Sequence, residues 1–356
     1  MPDEPEDLVI SSEEEASEAF TPFQYAITSY GADYPVDGLV KRMSAGSIFI
    51  PSFQRGYVWT ITQGSKFVES LLLGLPVPGI FLSKEEQTQR LMVIDGQQRL
   101  RTLEYFYEGI FRPTGREFAL QGVQPRFEGI TYKSLADEDR RRLDDSILHA
   151  TIVKQEQPSE DDSSIYYIFE RLNTGGLLLH SQEIRAAIYH GPFNNLLGRL
   201  NEDPAWRSIY GPISPRMRDQ ELILRFLALY FRTDRYSRPM KAFLNSYMGA
   251  NRALRLQDAE QIRAAFVPTA NAVATALGER AFKPKRALNA AVFDAVMVGL
   301  TRRLQKERPV ERDAISDRYN ALLANQLFVG ATERSTTDEE TVRRRLDVAT
   351  MIFDQI

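Results

Sequence analysis

The stretch of residues 91–103 constrains the fold of this chain more than any other part of the sequence. It begins with an apolar run, residues 91–94, that has the length and composition of a short buried strand. Asp95 and Gly96 follow, and this pair is typical of a tight turn. Apolar residues then recur at helical spacing, which predicts a helix that begins near Gln97. The sequence therefore brings the end of a strand, a glycine turn and the start of a helix to one point.

A helix start of this kind is a favourable place for an anion. Its first backbone amides have no intrahelical acceptor, and the helix dipole is positive there. Gln97 and Gln98 add amide donors, and the guanidinium group of Arg99 matches a pair of phosphate oxygens. An ordinary strand–helix turn, in which Arg99 pairs with a nearby carboxylate, explains the same residues. The turn lacks the glycines of a Walker loop and of a dinucleotide-binding loop, so neither site is expected.

Two further segments carry residues that are typical of binding loops. Residues 51–59 combine Gln54 and Arg55 with a glycine and large aromatic side chains. Alternatively, the aromatic side chains cover the next helix. Residues 173–176 have the sequence Asn-Thr-Gly-Gly, and the two glycines would let the backbone approach a ligand closely. A plain connection between two helices is the alternative explanation for this segment.

The composition is that of a soluble globular protein. A length of 356 residues favours two domains, and 43% hydrophobic with 26% charged residues is ordinary for such proteins. Cysteine is absent, which excludes a disulfide framework, a thiolate nucleophile and a cysteine-based zinc site. No apolar stretch reaches membrane-spanning length, and the acidic N-terminus resembles neither a signal peptide nor a transit peptide. We therefore expect a cytoplasmic protein with no membrane partner.

The charge is unevenly distributed along the chain. The first 20 residues contain eight acidic residues and no basic one, so we predict that residues 1–24 form an acidic disordered tail. Without these eight residues, the formal net charge of −4 becomes positive. A positively charged body makes DNA a candidate partner, with arginines 140–142, Arg216 and Arg218 as candidate contacts.

Hydrophobic periodicity predicts an α+β domain followed by an all-helical domain, with the boundary between residues 190 and 191. Thr60 and Gln63 have the spacing of a capping box, which predicts that a helix begins there. Glu221 and Arg225 are expected to pair across one helical turn. Strands are expected at 47–50, 79–82, 90–94, 117–120 and 147–153, and helices at 36–43, 134–143, 216–227, 240–248, 256–277, 287–304, 311–326 and 336–353.

Several common catalytic patterns are missing from the sequence. The three histidines, His149, His180 and His190, do not have the spacing of a zinc site or of an HNH-type nuclease. There is no Gly-x-Ser-x-Gly motif of a serine hydrolase. The sequence therefore predicts no metal-ligating cluster of protein side chains, and no nuclease centre can be assigned.

Three motifs, in this order and spacing, resemble the GmrSD N-terminal (GmrS-like) domain family. They are residues 51–59, the Asp-Gly-Gln-Gln-Arg sequence at residues 95–99, and residues 169–176. The resemblance implies a ParB/sulfiredoxin-like α+β fold over residues 25–190, followed by a helical domain. It also implies nucleotide binding and hydrolysis, with Mg²⁺, in prokaryotic defence against phage or modified DNA.

The resemblance assigns site residues by position. Asp95, Gln98 and Arg99 are the expected catalytic residues, with Asp95 orienting a water molecule or an Mg²⁺-bound water. The remaining pocket residues that it implies are Gln54, Arg55, Gly96, Gln97, Asn173 and Gly176.

Two functional hypotheses remain open from the sequence. The first is an NTP phosphohydrolase that regulates a defence system, with no preferred base evident. The second is a non-catalytic DNA-binding sensor subunit. Full-length members of the family often carry an HNH-type nuclease domain, which this sequence lacks, so any nuclease activity is expected in a separate subunit. A homo-oligomer is compatible with either hypothesis.

Overall fold

The computed structural model of this protein describes residues 26–51, 56–85, 88–157, 166, 168, 180–285, 287–306, 310–333 and 336–356. The chain divides into two compact units, with the division between Leu178 and Leu179. The first unit contains the sheet and the second is helical, which confirms the predicted α+β class with a helical C-terminal part. The predicted acidic tail, residues 1–24, lies outside the described residues. No helix among the described residues is long and apolar enough to span a membrane.

In its described residues, the first unit consists of a mixed sheet, a small hairpin and four α-helices. Its elements are β1 (Ala26–Pro35), α1 (Val36–Ser44), β2 (Ile48–Phe49), α2 (Ile61–Leu72), β3 (Ile80–Lys84), β4 (Leu91–Asp95), α3 (Gln97–Glu108), β5 (Ile110–Phe111), β6 (Arg116–Glu117), α4 (Asp137–Asp145) and β7 (Ile147–Gln157).

The five-stranded mixed sheet has the strand order β1–β7–β3–β4–β2. β1 and β7 are antiparallel, as are β3 and β4, whereas β7 pairs parallel with β3 and β4 pairs parallel with β2. β1 was not expected from the sequence, because residues 21–35 are polar and aromatic and contain no continuous apolar run. In the structure β1 lies at the sheet edge: Thr28, Ser29 and Tyr30 are exposed, and Ala32 and Tyr34 pack only partly against the core.

An apolar core fixes β4 and α3 relative to the rest of the sheet. Val93 of β4 and Leu100 of α3 are buried together with Ile80 and Leu82 of β3 and Leu39 of α1. Burial of five such side chains stabilises the unit by about 10 kcal/mol before the entropy of ordering them is subtracted. Because both β4 and α3 pack into this core, the position of the turn between them is fixed.

A second apolar cluster explains one wrong expectation. A strand was predicted at residues 117–120, but only Arg116–Glu117 pair, with Ile110–Phe111. Phe118 and Leu120 are buried against the aromatic residues of α2 and α3 instead. Their alternating burial gave them a strand-like pattern without strand pairing.

The second unit is built from ten helices in the part that the structure describes. They are α5 (Ser181–Ile188), α6 (Pro192–Asn201), α7 (Pro204–Tyr210), α8 (Arg218–Arg232), α9 (Met240–Ala250), α10 (Ala259–Ala276), α11 (Ala290–Leu304), α12 (Arg312–Ala324), α13 (Gln326–Glu333) and α14 (Glu339–Phe353).

A buried charge cluster joins three of these helices. Arg225 of α8 and Arg345 of α14 both donate to the carboxylate of Asp294 on α11, at 2.8 and 2.9 Å. All three side chains are buried. The predicted pair of Glu221 with Arg225 is therefore wrong: α8 is buried along most of its length, so tertiary partners replace the neighbour one turn away.

We predict that Asp294→Asn lowers the free energy of unfolding by about 4 kcal/mol, because the buried guanidinium groups of Arg225 and Arg345 both donate to this carboxylate. Chemical denaturation followed by circular dichroism measures this change. The matched control is Glu340→Gln, which removes the partner of the exposed Arg344 on α14 and is expected to cost less than about 1 kcal/mol. Equal effects of the two substitutions would contradict the prediction.

Candidate functional site

The predicted strand, turn and helix start are confirmed at residues 91–108. β4 ends at Asp95, α3 begins at Gln97, and Gly96 between them has φ of +97°. A Cβ atom at position 96 would lie 2.4 Å from Cγ2 of Ile80. Glycine is therefore required here both by the left-handed backbone and by the close approach of β3.

Arg99 is bound to the turn itself. Its Nη2 donates to Oδ2 of Asp95 at 3.0 Å and to the carbonyl oxygen of Gly79 at 2.8 Å. The side chain of Arg99 is 14% exposed, and that of Asp95 is 46% exposed. Arg99 thus pairs with a nearby carboxylate, as the alternative explanation of the sequence predicted. This carboxylate, that of Asp95, belongs to the same motif.

Polar groups at the turn remain without partners. Gly96 occupies the N-cap position of α3, and among the described residues no side chain caps the first amides of the helix. Among the described residues, Oε1 of Gln97 and Nε of Arg99 are buried and have no hydrogen-bond partner. Each such group costs about 1–3 kcal/mol when buried without a partner. A ligand that offers both acceptors and donors would satisfy them.

The residues at the turn fit a nucleotide phosphate with Mg²⁺. Backbone amides and the Arg99 guanidinium group suit phosphate oxygens, and the half-exposed Asp95 carboxylate suits Mg²⁺. In the described part of the chain, no three histidine or acidic side chains converge to hold a metal ion. Mg²⁺ here would depend on Asp95 and on the phosphates, which is its usual mode of binding in nucleotide sites.

Gln98 makes a different contact from the one that the sequence suggested. Its Oε1 accepts from the backbone N–H of Val58 at 3.0 Å, and its Nε2 donates to the carbonyl oxygen of Gly56 at 3.4 Å. The side-chain amide is engaged with the loop rather than with the open helix start. We call residues 56–59 the strap, because this segment of the chain is bound across the first turns of α3.

Aromatic and hydroxyl groups hold the strap further along α3. The Tyr57 hydroxyl lies 2.8 Å from Oγ1 of Thr102, and its ring centroid lies 5.1 Å from that of Tyr105. Burial raises the pKa of Tyr57, so the hydroxyl stays protonated at neutral pH. Trp59 contacts Phe67 of α2, with centroids 5.9 Å apart. The aromatic residues therefore cover the neighbouring helices, as the alternative reading of this loop proposed.

The remaining predicted pocket residues cannot be placed. Gln54, Arg55, Asn173 and Gly176 lie outside the described residues. Their role at the turn stays a prediction from the resemblance. Sequence reasoning also missed Thr102 as a residue that contacts the strap. The only signal for this contact was its position one helical turn after Gln98.

A second polar cluster surrounds α5. The buried Arg185 donates to Oε2 of Glu221 and to Oδ1 of Asn245, both at 2.8 Å. Nδ1 of His180 lies 3.7 Å from the same Glu221 oxygen. His180 is also the N-cap of α5, because its side chain accepts from the amide of Gln182. This cluster was not anticipated, since its members are far apart in the sequence.

Electrostatics within this cluster favour the ionised form of Glu221. Burial alone would raise the pKa of Glu221, but the positive charges of Arg185 and Arg225 and the hydrogen bond from Arg185 outweigh it and lower the pKa. Glu221 therefore acts as a fixed negative charge at neutral pH.

Several arginines that suggested DNA binding have partners within the chain. Arg140 donates to the carbonyl oxygens of Lys133 and Leu135, and Arg216 pairs with Glu183 at 3.1 Å. Of the residues proposed as DNA contacts, these two contribute to local structure.

We predict that Gly96→Ala lowers the free energy of unfolding by about 3 kcal/mol, because alanine adds both a strained φ and an overlap with Ile80. Gly115→Ala is the matched control. Gly115 has φ of +69° but no atom within 4 Å of an added Cβ, so about 1 kcal/mol is expected. Urea denaturation of both variants measures the difference, and equal losses would refute the role of Ile80.

We predict a pH dependence of stability from Glu221. Its pKa is lower in the folded chain than the ordinary value of 4.5, so the ionised group stabilises the fold above that pH. This contribution is lost as the pH falls through the lowered pKa. The gap in unfolding free energy between wild type and Glu221→Gln should therefore be wide at pH 7, begin to narrow as the pH falls below 4.5, and close only below the lowered pKa. Glu202→Gln, at an exposed position, should show no such gap, and a gap constant with pH would contradict the prediction.

Comparison with known families gives one match, to the family described as GmrSD restriction endonuclease, N-terminal domain, over residues 36–190. A search of the curated proteins finds no match. The matched segment begins at α1, includes the turn and the strap, and ends just after α5. Residues 36–190 of this chain are therefore similar to the GmrSD N-terminal domains.

Proposed function

We propose that this chain is a nucleotide-binding and NTP-hydrolysing protein of a prokaryotic restriction system directed against phage or modified DNA. The family description supports the restriction context, since it names the N-terminal domain of a restriction endonuclease. One observation carries the nucleotide assignment. The uncapped start of α3 coincides with two buried polar atoms, on Gln97 and Arg99, that lack partners among the described residues.

Arg99 and Asp95 have linked roles in this proposal. The two side chains form an ion pair, with Nη2 of Arg99 at 3.0 Å from Oδ2 of Asp95. A phosphate group competes with Asp95 for the guanidinium group, and binding therefore releases the carboxylate. The released Asp95 can orient a water molecule for attack on the terminal phosphorus. The bond between that phosphorus and the bridging oxygen breaks, the nucleoside diphosphate leaves, and the proton of the water passes to solvent or to phosphate. Mg²⁺ would supply neutralisation of the phosphate charge at this carboxylate.

The rest of the pocket is proposed from the family resemblance. Arg55 stabilises charge that develops on the transferred phosphoryl group, and Gln54 lies beside it in the sequence. Asn173 and Gly176 complete the pocket. The nuclease, in this proposal, is a separate subunit whose activity is regulated by the nucleotide state of this chain.

A non-catalytic DNA sensor is the competing function. It depends on free arginines, and Arg140 and Arg216 have intramolecular partners in this structure. We therefore rank it second, and the experiment below distinguishes the two.

The test is nucleotide turnover and binding by the purified protein with Mg²⁺, measured separately for ATP, GTP, CTP and UTP. We expect hydrolysis of at least one nucleotide, its loss on chelation of Mg²⁺, and about a 100-fold decrease in kcat for Asp95→Ala and Arg99→Ala. Arg112→Ala is the matched control. Arg112 also pairs with a carboxylate four residues earlier on α3, Glu108, but lies at the opposite end of the helix.

Two results would overturn the proposal. One is a wild type that neither binds nor hydrolyses any of the four nucleotides. The other is unchanged nucleotide affinity and turnover in Arg99→Ala. Binding of duplex DNA that falls steeply with salt in the absence of nucleotide effects would then favour the sensor.

A further inference from the structure

Gly79 lies directly before β3 and outside the Asp-Gly-Gln-Gln-Arg motif, yet it contacts the arginine of that motif. Its carbonyl oxygen accepts from Nη2 of Arg99 at 2.8 Å, and the same nitrogen donates to Oδ2 of Asp95 at 3.0 Å. The sheet joins the same parts of the chain, because Phe81 of β3 lies opposite Asp95 of β4 in the strand register. Strand pairing and hydrogen bonds therefore hold Gly79, Asp95 and Arg99 together.

The two acceptors at Nη2 of Arg99 differ in charge and in exposure. The Asp95 carboxylate is half-exposed, and in the proposed function a phosphate takes its place. The Gly79 carbonyl is a neutral backbone group at the start of β3, a strand that is paired on both sides. Replacement of Asp95 by phosphate would therefore leave the bond between Gly79 and Arg99 in place.

This remaining bond controls how the Arg99 guanidinium group meets a ligand. Nη2 donates to both acceptors, whereas Nε is buried and has no hydrogen-bond partner among the described residues. A phosphate that replaces Asp95 at Nη2 can accept from a neighbouring N–H of the same group. This gives the two-point contact that is typical of arginine and phosphate. Such a contact requires the guanidinium plane to keep its orientation when Asp95 leaves.

The sheet requires glycine at position 79. A Cβ atom there would lie 2.7 Å from the backbone oxygen of His149 on β7, a distance that real Cβ atoms essentially never show. The obstacle is the backbone of a paired strand rather than the end of a flexible side chain. A larger residue would therefore displace position 79 itself, and the carbonyl that accepts from Arg99 would move with it.

We propose that Gly79 is a positioning residue, which holds the Arg99 guanidinium group in the orientation that a nucleotide phosphate requires while Asp95 is displaced. This inference rests on the proposed function, and it adds a residue that the motif does not contain. A displacement of about 1 Å at a reacting centre costs up to about 100-fold in rate, so loss of this contact has a measurable effect.

The test moves the Gly79 carbonyl and asks whether the effect passes through Arg99. Gly79→Ala introduces the overlap with the His149 backbone, and its combination with Arg99→Ala completes a double-mutant cycle. Gly31→Ala is the matched control. Its Cβ would lie 2.8 Å from Cε1 of the same His149, but that atom belongs to an exposed ring that can shift, and Gly31 lies on β1, which β7 separates from β3. The readouts are kcat, nucleotide Kd with Mg²⁺, and urea denaturation as a measure of folding.

We expect Gly79→Ala to lower kcat about 10- to 100-fold, because the guanidinium group loses its fixed acceptor. In the Arg99→Ala background, the same substitution should change kcat by less than about twofold, since no guanidinium group is left to position. A general loss of structure would lower kcat by the same factor in both backgrounds. Gly31→Ala should stay within about twofold of wild type in kcat.

Arg99→Lys gives an independent test that leaves the sheet unchanged. Lysine keeps the positive charge but has a single nitrogen, so it cannot bond to Gly79 and also present a planar pair of donors to phosphate. We expect kcat of Arg99→Lys to fall by at least about tenfold. This variant decides the question if Gly79→Ala does not fold.

Any of three results would overturn the positioning role. They are wild-type kcat in a folded Gly79→Ala variant, an additive mutant cycle, and wild-type kcat in Arg99→Lys. If the wild type hydrolyses nucleotide and Arg99→Ala does not, an additive cycle overturns the role of Gly79 and leaves the proposed function intact. A wild type that neither binds nor hydrolyses nucleotide overturns both.

Discussion

The left-handed conformation of Gly96 is the constraint on which the geometry of the site depends. It allows β4 to continue into α3 without an intervening loop, while Ile80 of β3 fills the space where a side chain would stand. Asp95 and Arg99 are thereby brought within one hydrogen bond, on either side of the turn. The start of α3, its open amides and the contacts of Gln98 all follow from this one backbone position.

Charge is buried in the two units in different ways. At the turn, the Asp95–Arg99 pair is partly exposed, so a charged ligand can reach it and exchange partners with it. In the helical unit, the pairs around Asp294 and Glu221 are enclosed by several helices. Such enclosed pairs are costly to desolvate and define which helices pack together. The partly exposed pair is accessible for reaction with a ligand, whereas the enclosed pairs hold the helices in a fixed arrangement.

Local patterns in the sequence predict the structure where the interactions are themselves local. The capping box of Thr60 and Gln63 forms as expected, and the turn at Gly96 needs only neighbouring residues to be recognised. Glu221 was assigned the wrong partner, because helical spacing favours Arg225 whereas burial selects Arg185. The side chain of Gln98 contacts a loop about 40 residues away in the sequence, and hydrophobic periodicity does not predict such a contact. β1 was missed because this edge strand carries only the partly buried Ala32 and Tyr34 on its core face, which is too short an apolar pattern to be recognised.

The position of α5 determines where the matched segment can be separated from the rest of the chain. The family match extends to residue 190 and so includes α5, yet by its contacts α5 belongs to the helical unit. Its residues from Gln182 to Ile188 are buried, and Arg185 relies on Glu221 beyond the matched segment. The segment that matches the family and the compact unit that contains the sheet therefore end at different residues. A protein cut at residue 190 would lose Glu221 and Asn245, which accept hydrogen bonds from Arg185, so α5 is exchangeable only together with the helices that enclose it.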